Sequence, residues 1–328
     1  MMDMLASMKG KMVVVTGASG YIGYELVNAL VKQSCKIIRV SRTDLAPLPN
    51  VITIKADVCH ADVWHDIVAQ ADIIYHLAGN TSVYEAAQYP VLSLNSTLLP
   101  INHLIQAAQE KKRKPRVVFA STATVYGLTS TLPVAETVRP NPITVYDLHK
   151  LFAEEQLTLA SQQGILDSVS LRLANVYGPS GSMSSADDRG ILNRAISMAL
   201  QGKALTVYGD GNYLRDYVYI ADVINAFLLA GNTQHIGSQS FNIASGTGTT
   251  LKQAFAMVAT KAGKLIDQSI QINYIKWPAD SASIEHRKFT ADIKKYKTTT
   301  GWNPSIDLNK GISLMVNEFL RRVNKYDN

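Results

Sequence analysis

The run Lys11-Met12-Val13-Val14-Val15-Thr16 passes directly into Gly17-Ala18-Ser19-Gly20-Tyr21-Ile22-Gly23, and apolar residues then recur at helical spacing as far as Gln33. The β-branched run predicts a short buried strand, and the glycines predict a tight turn from that strand into a helix. Lacking side chains, Gly17, Gly20 and Gly23 let a pyrophosphate approach the backbone, where the unpaired N–H groups and positive dipole end of the helix favour an anion. Tyr21 and Ile22 ride on the same turn and join the predicted dinucleotide contacts. The spacing alone is weak evidence. Its place between a strand and a helix makes it strong, against the plain alternative of a glycine turn that binds nothing.

The same alternation continues along the chain. Lys36 to Val40, Val51 to Lys55, Ala71 to His76, Arg116 to Ala120 and Ser168 to Leu173 read as further strands, each separated by a helix-like stretch. That order predicts an α/β fold with a doubly wound parallel sheet of Rossmann type. After Asn175 the pattern breaks at the polar loop Gly178-Pro179-Ser180-Gly181-Ser182. The expected organisation is a dinucleotide-binding domain over 10–175, with 218–243 returning to it. Residues 176–217 and 244–328 are expected to form a smaller, interleaved C-terminal lobe for the substrate.

Composition narrows the function classes. A chain of 328 residues, 47% hydrophobic, can bury a full core, and its net charge of +6 suits anionic small molecules without itself indicating nucleic acid. No apolar run reaches the roughly 18 residues of a membrane span, and the first residues lack the pattern of a signal peptide. Cys35 and Cys59 have no framework-like spacing, which argues against a disulfide-stapled secreted fold and for a reducing cytoplasm. No metal site is expected. The basic run from Lys111 to Arg116 follows a helix expected over Val91 to Ala108, whose negative end cations favour; phosphate or membrane contact is the alternative.

Tyr146 and Lys150 form a Tyr-x-x-x-Lys pair, which a helix places on one face. A free tyrosine titrates near 10, and a neighbouring ammonium lowers that value toward the range useful for proton transfer. Among fifteen tyrosines the spacing means little by itself. It gains meaning from Phe119-Ala120-Ser121-Thr122-Ala123-Thr124-Val125-Tyr126-Gly127, which ends a strand and can present the Thr122 hydroxyl at the carboxyl edge of the sheet. A hydroxyl-capped strand end is the structural alternative. His76 and His149 are read as structural, one ending a buried strand and the other inside the tyrosine helix.

Together these segments resemble the extended short-chain dehydrogenase/reductases of the NAD-dependent epimerase/dehydratase family, over essentially the whole chain. The resemblance implies that Thr122, Tyr146 and Lys150 form the catalytic set, with Ser121 beside the cofactor and Lys150 also holding the nicotinamide ribose. Asp57-Val58 resembles the adenine contact and His76-Leu77-Ala78-Gly79 the strand-four signature. Leu171-Arg172-Leu173-Ala174-Asn175-Val176-Tyr177-Gly178-Pro179 resembles the entry to the substrate lobe. Asn175, Tyr208 and Arg215 are implied to meet the diphosphate or base of a nucleotide sugar. The helices over 91–108 and 146–163 are implied to pair into a homodimer.

The chain also departs from the family. Dehydratases carry an Asp-Glu pair where this sequence has Ala123 and Thr124, and decarboxylases usually a glutamate at the second place, so neither elimination nor decarboxylation is expected. The phosphate-binding arginine falls at Ala282, leaving Arg287 as a substitute or a solvated charge. The helix-four asparagine falls at Thr97, with Asn95 nearby.

The expected function is C4 epimerisation of a nucleotide-linked hexose, because Ser121 to Gly127 resembles the segment of UDP-hexose 4-epimerases. An NADP-dependent keto-sugar reductase is the alternative; it consumes reduced cofactor, whereas an epimerase uses cofactor catalytically. A non-catalytic dinucleotide sensor is a third reading, disfavoured because both Tyr146 and Lys150 are present. Ser41 and Arg42 stand where an acid normally binds the ribose 2′-hydroxyl, which predicts that NADP binds at least as well as NAD; the alternative has Asp44 on the ribose. Phe289 matches a position that gates sugar size in related epimerases, with a plain core aromatic as the equal alternative.

Overall fold

Strands β1 (Met12–Thr16), β2 (Lys36–Ser41), β3 (Val51–Lys55), β4 (Ile73–His76), β5 (Arg116–Thr122) and β6 (Asp167–Leu173) form the main parallel sheet. The computed structural model of the chain describes residues 8–179, 181, 190–279 and 281–326, so Ser180 and Ser182 of the polar loop lie outside the described residues. The remaining strands are β7 (Asn175–Tyr177), β8 (Leu205–Tyr208), β9 (Leu214–Tyr219), β10 (Gln239–Ile243), β11 (Gly248–Thr250) and β12 (Ile272–Ile275). Strand β10 joins the main sheet beside β6, giving seven strands in the order β3-β2-β1-β4-β5-β6-β10. This is the doubly wound Rossmann-type arrangement. The order reverses at β1, which lies between β2 and β4, and a crevice opens there at the carboxyl ends of the strands.

Both faces are covered at the centre of the sheet, where β1, β2 and β4 carry nearly continuous apolar runs, whereas β6 and β10 alternate apolar with polar residues. Val13 and Val15 face one core with Leu26, Leu30 and Phe227, while Val14 faces the other with Ile38, Trp64, Leu104 and Phe119. The first core includes helices α1 (Tyr21–Val31) and, after β9, α8 (Ile220–Asn232). The second holds α2 (Ala61–Gln70), α5 (Leu99–Glu110) and α6 (Val145–Gln162), with the short α3 (Val83–Gln88) and α4 (Pro90–Thr97) alongside. Outside the main sheet lie α7 (Ile191–Leu200), α9 (Leu251–Ile266), α10 (Lys294–Thr300) and α11 (Leu308–Tyr326), with the three-stranded sheet β11-β9-β7 and the pair β12-β8.

Two local expectations are corrected. The single helix expected over 91–108 is two, α4 and α5, joined at Leu98. Pro100 has no N–H to continue the first helix but fits the first turn of the second. The basic run is not simply a solvated helix end: Arg113 pairs with Asp72 at 3.3 Å, and Arg116 enters β5 and pairs with Asp167 at 2.6 Å. No described helix is long and apolar enough to cross a membrane.

Candidate active site

The glycine turn after β1 packs directly against the end of β4. Gly17 has φ +67, and a Cβ there would lie 2.7 Å from the Ala78 nitrogen. A Cβ on Gly23 would lie 2.2 Å from the Gly17 carbonyl oxygen. Thr16 holds the two segments in register: its Oγ1 lies 2.8 Å from His76 Nδ1 and accepts the Leu77 and Ala78 N–H groups at 3.3 Å each. Gly20 is the N-cap of α1 and no side chain caps that end. These features fit a dinucleotide, whose pyrophosphate needs close backbone approach and free N–H donors. Ile22 packs against the first core, and the Tyr21 hydroxyl instead donates to the Gly178 carbonyl at 2.9 Å, tying the turn to the start of the small lobe.

At the end of β2 the Ser41 hydroxyl accepts the Thr43 N–H at 3.1 Å. Arg42 is exposed, and its charge helps hold the Asp57 carboxyl below its usual value, although burial opposes this and the Cys59 N–H, donating at 2.9 Å, contributes more. Val58 beside it is buried. Asp44 is paired with Lys55 at 2.6 Å on the exposed edge.

Thr122, Tyr146 and Lys150 meet at the carboxyl end of β5. Thr122 lies near enough to the Tyr146 phenol to pull its pKa down, and Lys150 Nζ donates to the Ala120 carbonyl at 2.9 Å and sits 4.8 Å over the Phe119 ring. A Cβ on Gly79 would lie 3.7 Å from Lys150 Nζ and 4.0 Å from Thr97 Oγ1, so the strand-four signature faces the lysine. Thr97 is buried, with its hydroxyl unpartnered among the described residues, whereas Asn95 is exposed; Thr97 therefore holds the inward position on α4. Burial pushes Lys150 down to about 8 and His76 down to about 3, the lysine charge adding to the latter. His76 is a neutral, buried spacer. His149 bonds Ser93 through Nδ1 at 3.0 Å and joins α6 to α4.

Burial pushes the Tyr146 phenol upward and the Asp147 charge adds to this, with Thr122 alone pulling down. The lysine amine is aimed at a backbone carbonyl rather than at the phenol.

Two buried carboxylates behind the triad were not among the expected site residues. Asp147 is fully buried; its carboxylate accepts the Thr124 hydroxyl and, at 2.7 Å, the Thr144 hydroxyl, while Thr122 and Thr124 hydroxyls lie 2.7 Å apart. Glu154, one turn beyond Lys150, takes the Ser121 hydroxyl and pairs with Arg172 at 2.6 Å. Ser121 thus turns its side chain away from the cleft and into the core. Sequence spacing signalled Asp147 only as a helix cap, through Thr144-x-x-Asp147.

On the substrate side, Asn175 is half-buried on β7 opposite Tyr217 of β9. Arg215 donates to the Leu214 carbonyl at 3.1 Å, the Glu285 carbonyl at 2.6 Å and the Arg287 carbonyl, so it braces the 285–287 loop. Burial raises the Asp147 carboxyl against the pull of Thr124, Thr144 and the nearby Arg287, which also helps burial push the Arg215 guanidinium down to about 10. It is not a purely solvated charge. Tyr208 stacks on Trp277 at 5.2 Å, and Trp277 donates to the Tyr213 hydroxyl at 2.7 Å and packs 4.8 Å from His286. Phe289 is buried and stacked on Tyr126 at 6.2 Å within a small core, the environment of a packing aromatic rather than of a free gate. Among the described residues no cluster of His, Cys, Asp or Glu gathers that could hold a metal.

A glycine cradle at the sheet's switch point and a Thr-Tyr-Lys set at the adjoining strand end are found together with a matching sequence profile, that of the NAD dependent epimerase/dehydratase family, over residues 13–244. The chain belongs to this family. A putative UDP-glucose 4-epimerase of Methanocaldococcus jannaschii is 29% identical over 93% of this chain and 97% of its own length. A UDP-glucuronic acid decarboxylase of Arabidopsis thaliana is also 29% identical, over 96% of this chain and 69% of its own length. Among solved structures, the UDP-glucose 4-epimerase of Thermotoga maritima with UDP-glucose superposes with a TM-score of 0.83 at 26% identity, covering 95% of this chain and 99% of that one. The NAD complex of the Thermus thermophilus enzyme gives 0.80 at 26% identity, covering 94% and 99%.

Proposed function

We propose that the protein is a nucleotide-sugar 4-epimerase that acts on a UDP-hexose. The observation that carries this reading is the gathering of Thr122, at the carboxyl end of β5, with Lys150 and Gly79, Tyr146 lying one turn before Lys150 on α6. A bound nicotinamide dinucleotide would supply hydride acceptance and return. Gly17, Gly20, Tyr21, Ile22 and Gly23 would hold its pyrophosphate side, Ser41, Arg42, Asp57 and Val58 its adenosine side, and Leu77, Ala78, Gly79 and Lys150 its nicotinamide side, to which Ser121 could offer only its backbone because its hydroxyl is taken by Glu154.

In this scheme Tyr146 takes the proton of the sugar 4-hydroxyl and later returns one, while Thr122 orients the reacting oxygen. Burial and the Asp147 charge favour neutral phenol, so a compensating change must accompany proton uptake. Asn175, Tyr208 and Arg215 would position the nucleotide, and Phe289 would limit the sugar only through the packing of Tyr126. Ser41 and Arg42 support NADP binding at least as good as that of NAD. A homodimer is supported by the exposed apolar residues Val91, Leu92, Phe152 and Leu159 on the adjoining helices α4 and α6; light scattering reads it directly. A cytoplasmic setting suits the free thiols Cys35 and Cys59.

Incubating the protein with catalytic NAD and a panel of UDP-, GDP-, CDP- and dTDP-sugars, followed by NMR of the anomeric region, tests the reading. The expected result is interconversion of UDP-glucose and UDP-galactose without accumulation of reduced cofactor. Stoichiometric consumption of reduced cofactor would replace it with the reductase reading.

A further inference from the structure

Glu154 lies one turn beyond Lys150 on α6, and three neighbouring strands of the main sheet converge on its carboxylate. Ser121 from β5 donates its hydroxyl, Arg172 from β6 donates from Nε at 3.0 and 3.1 Å and from Nη2 at 2.6 Å, and Ser240 from β10 donates its hydroxyl at 3.1 Å. Ser121 and Arg172 stand opposite each other in the sheet. These donors occupy both carboxylate oxygens, so Glu154 holds the strands rather than the lysine amine. The side chains of Glu154 and Arg172 are only 1% and 6% exposed. Burying such a pair is unfavourable, and well-packed apolar side chains of the same size commonly do as well or better for stability. Stability alone therefore gives no reason for a carboxylate here.

The grip of α6 on β5 supplies one. Lys150 and Glu154 hold three successive residues of that strand: the lysine amine lies 4.8 Å over the Phe119 ring and donates to the Ala120 carbonyl at 2.9 Å, and the glutamate takes the Ser121 hydroxyl. The Ala120 carbonyl shares one planar peptide unit with the Ser121 nitrogen and Cα. Pinning the Ser121 side chain therefore pins the acceptor of the lysine.

We propose that Glu154 is a positioning residue for Lys150: anchored by Arg172 and Ser240, it fixes through Ser121 the peptide plane whose carbonyl receives the lysine amine, and it is the acid that this buried cation faces. The other groups around the amine carry no charge. Strand β5 offers the Phe119 ring and a carbonyl, α4 the Thr97 hydroxyl, β4 the His76 imidazole, kept neutral by burial, and α6 itself the Tyr146 phenol, likewise kept neutral. Burial pushes the amine down to about 8, and the Glu154 charge opposes that fall. Without the carboxylate the amine titrates lower, and the charged form is lost as pH rises through that lower value.

The kinetic half of this inference rests on the epimerase reading. With UDP-glucose, Ser121→Ala should lower kcat about three- to tenfold, and Glu154→Met combined with Arg172→Met, which leaves no buried charge unpaired, should lower it about tenfold or more, both with KM within about twofold, because a displacement of about 1 Å at a reacting group can cost still more. An ion pair that serves stability alone leaves kcat unchanged in any variant whose circular dichroism and unfolding temperature match those of the unmodified protein. The second half needs no substrate. In protein isotopically labelled at the lysine Cε, the Lys150 resonance, identified by its loss in Lys150→Arg, should titrate lower by about half a pH unit or more in the paired variant. A kcat within about twofold in Ser121→Ala or in the folded paired variant, or an unmoved Lys150 titration, overturns the proposal. Ser121→Ala, which keeps the ion pair, decides the kinetic half by itself if the paired variant does not fold. If the unmodified protein turns over no UDP-glucose, the epimerase reading fails while the lysine titration still decides whether Glu154 acts on Lys150.

Discussion

At the turn after β1 the contacts are made by backbone: Gly17 and Gly23 leave no room for a Cβ, and the N–H groups of α1 start without a side-chain cap. In the smaller lobe they are made by side chains, Tyr208 from β8, Tyr213 from the following loop, Trp277 after β12 and His286 from a 3-10 turn. The first region is specified by what is missing from a short stretch of chain. The second is specified by residues that meet only after folding. A backbone site is intolerant of any addition, whereas a side-chain site can lose one member and keep the rest. Tyr146, on α6, belongs to neither and should respond to substitution differently from both.

The largest effect is therefore expected at Tyr146. In Tyr146→Phe the ring and its packing remain and only the hydroxyl is lost, so turnover should fall about 100-fold or more while NAD affinity changes little. Steady-state rates and a calorimetric NAD titration measure the two. A variant that keeps more than a tenth of the rate sinks the assignment of the phenol.

Next comes the glycine turn. The added methyl of Gly23→Ala would stand 2.2 Å from the Gly17 carbonyl oxygen, and relieving that clash displaces the phosphate-facing backbone. Overpacking of this kind costs about 1–3 kcal/mol, which corresponds to NAD affinity weakened roughly tenfold or more. UDP-glucose affinity should hold, and a variant that loses both equally would show that the regions are not separate.

The sequence disclosed these regions unequally for the same reason. Gly17, Gly20 and Gly23 lie within seven residues, and their backbone role can be read from their lack of side chains. Six of the seven parallel strands followed from apolar runs at regular intervals, the seventh, β10, being expected only within the returning segment 218–243, and Pro100 marked the break between α4 and α5, though the apolar periodicity of both helices concealed it. Trp277 carried no local signal, because its partner Tyr208 arrives through a separate strand. Asp147 gave no sequence signal as a neighbour of Thr124, a pairing 23 residues apart in sequence. The expected lysine-to-phenol effect was reasoned from helix spacing, which places both side chains on one face of α6 but does not decide that Lys150 turns to the Ala120 carbonyl.

Trp277→Ala tests the tolerance of the side-chain region. It removes the ring stacked 5.2 Å from Tyr208 and the donor to Tyr213, but leaves Tyr208, Arg215 and Arg287 in place. Loss of one aromatic pair weakens UDP-glucose binding by about three- to tenfold, with kcat and NAD affinity near those of the unmodified protein. Fluorescence or calorimetric titration of the two ligands separates the effects. A fall in NAD affinity as large as that for UDP-glucose would mean that the cluster supports both sites.

The smallest effect is expected where the backbone region ends in an exposed side chain. Arg42 follows the buried Ser41 at the end of β2, where no acid stands to repel a 2′-phosphate, and Asp44 is engaged with Lys55. A guanidinium there attracts the extra phosphate of NADP, but solvent screens an exposed charge, so Arg42→Ala should weaken NADP by only about threefold and leave NAD unchanged. Since the attraction is electrostatic, the difference should shrink as salt is raised. Parallel titrations with NAD and NADP at low and high salt give the ratio. NAD binding tenfold tighter than NADP, with that ratio unaltered in Arg42→Ala, would remove Arg42 from the site and leave cofactor choice to the backbone that surrounds it.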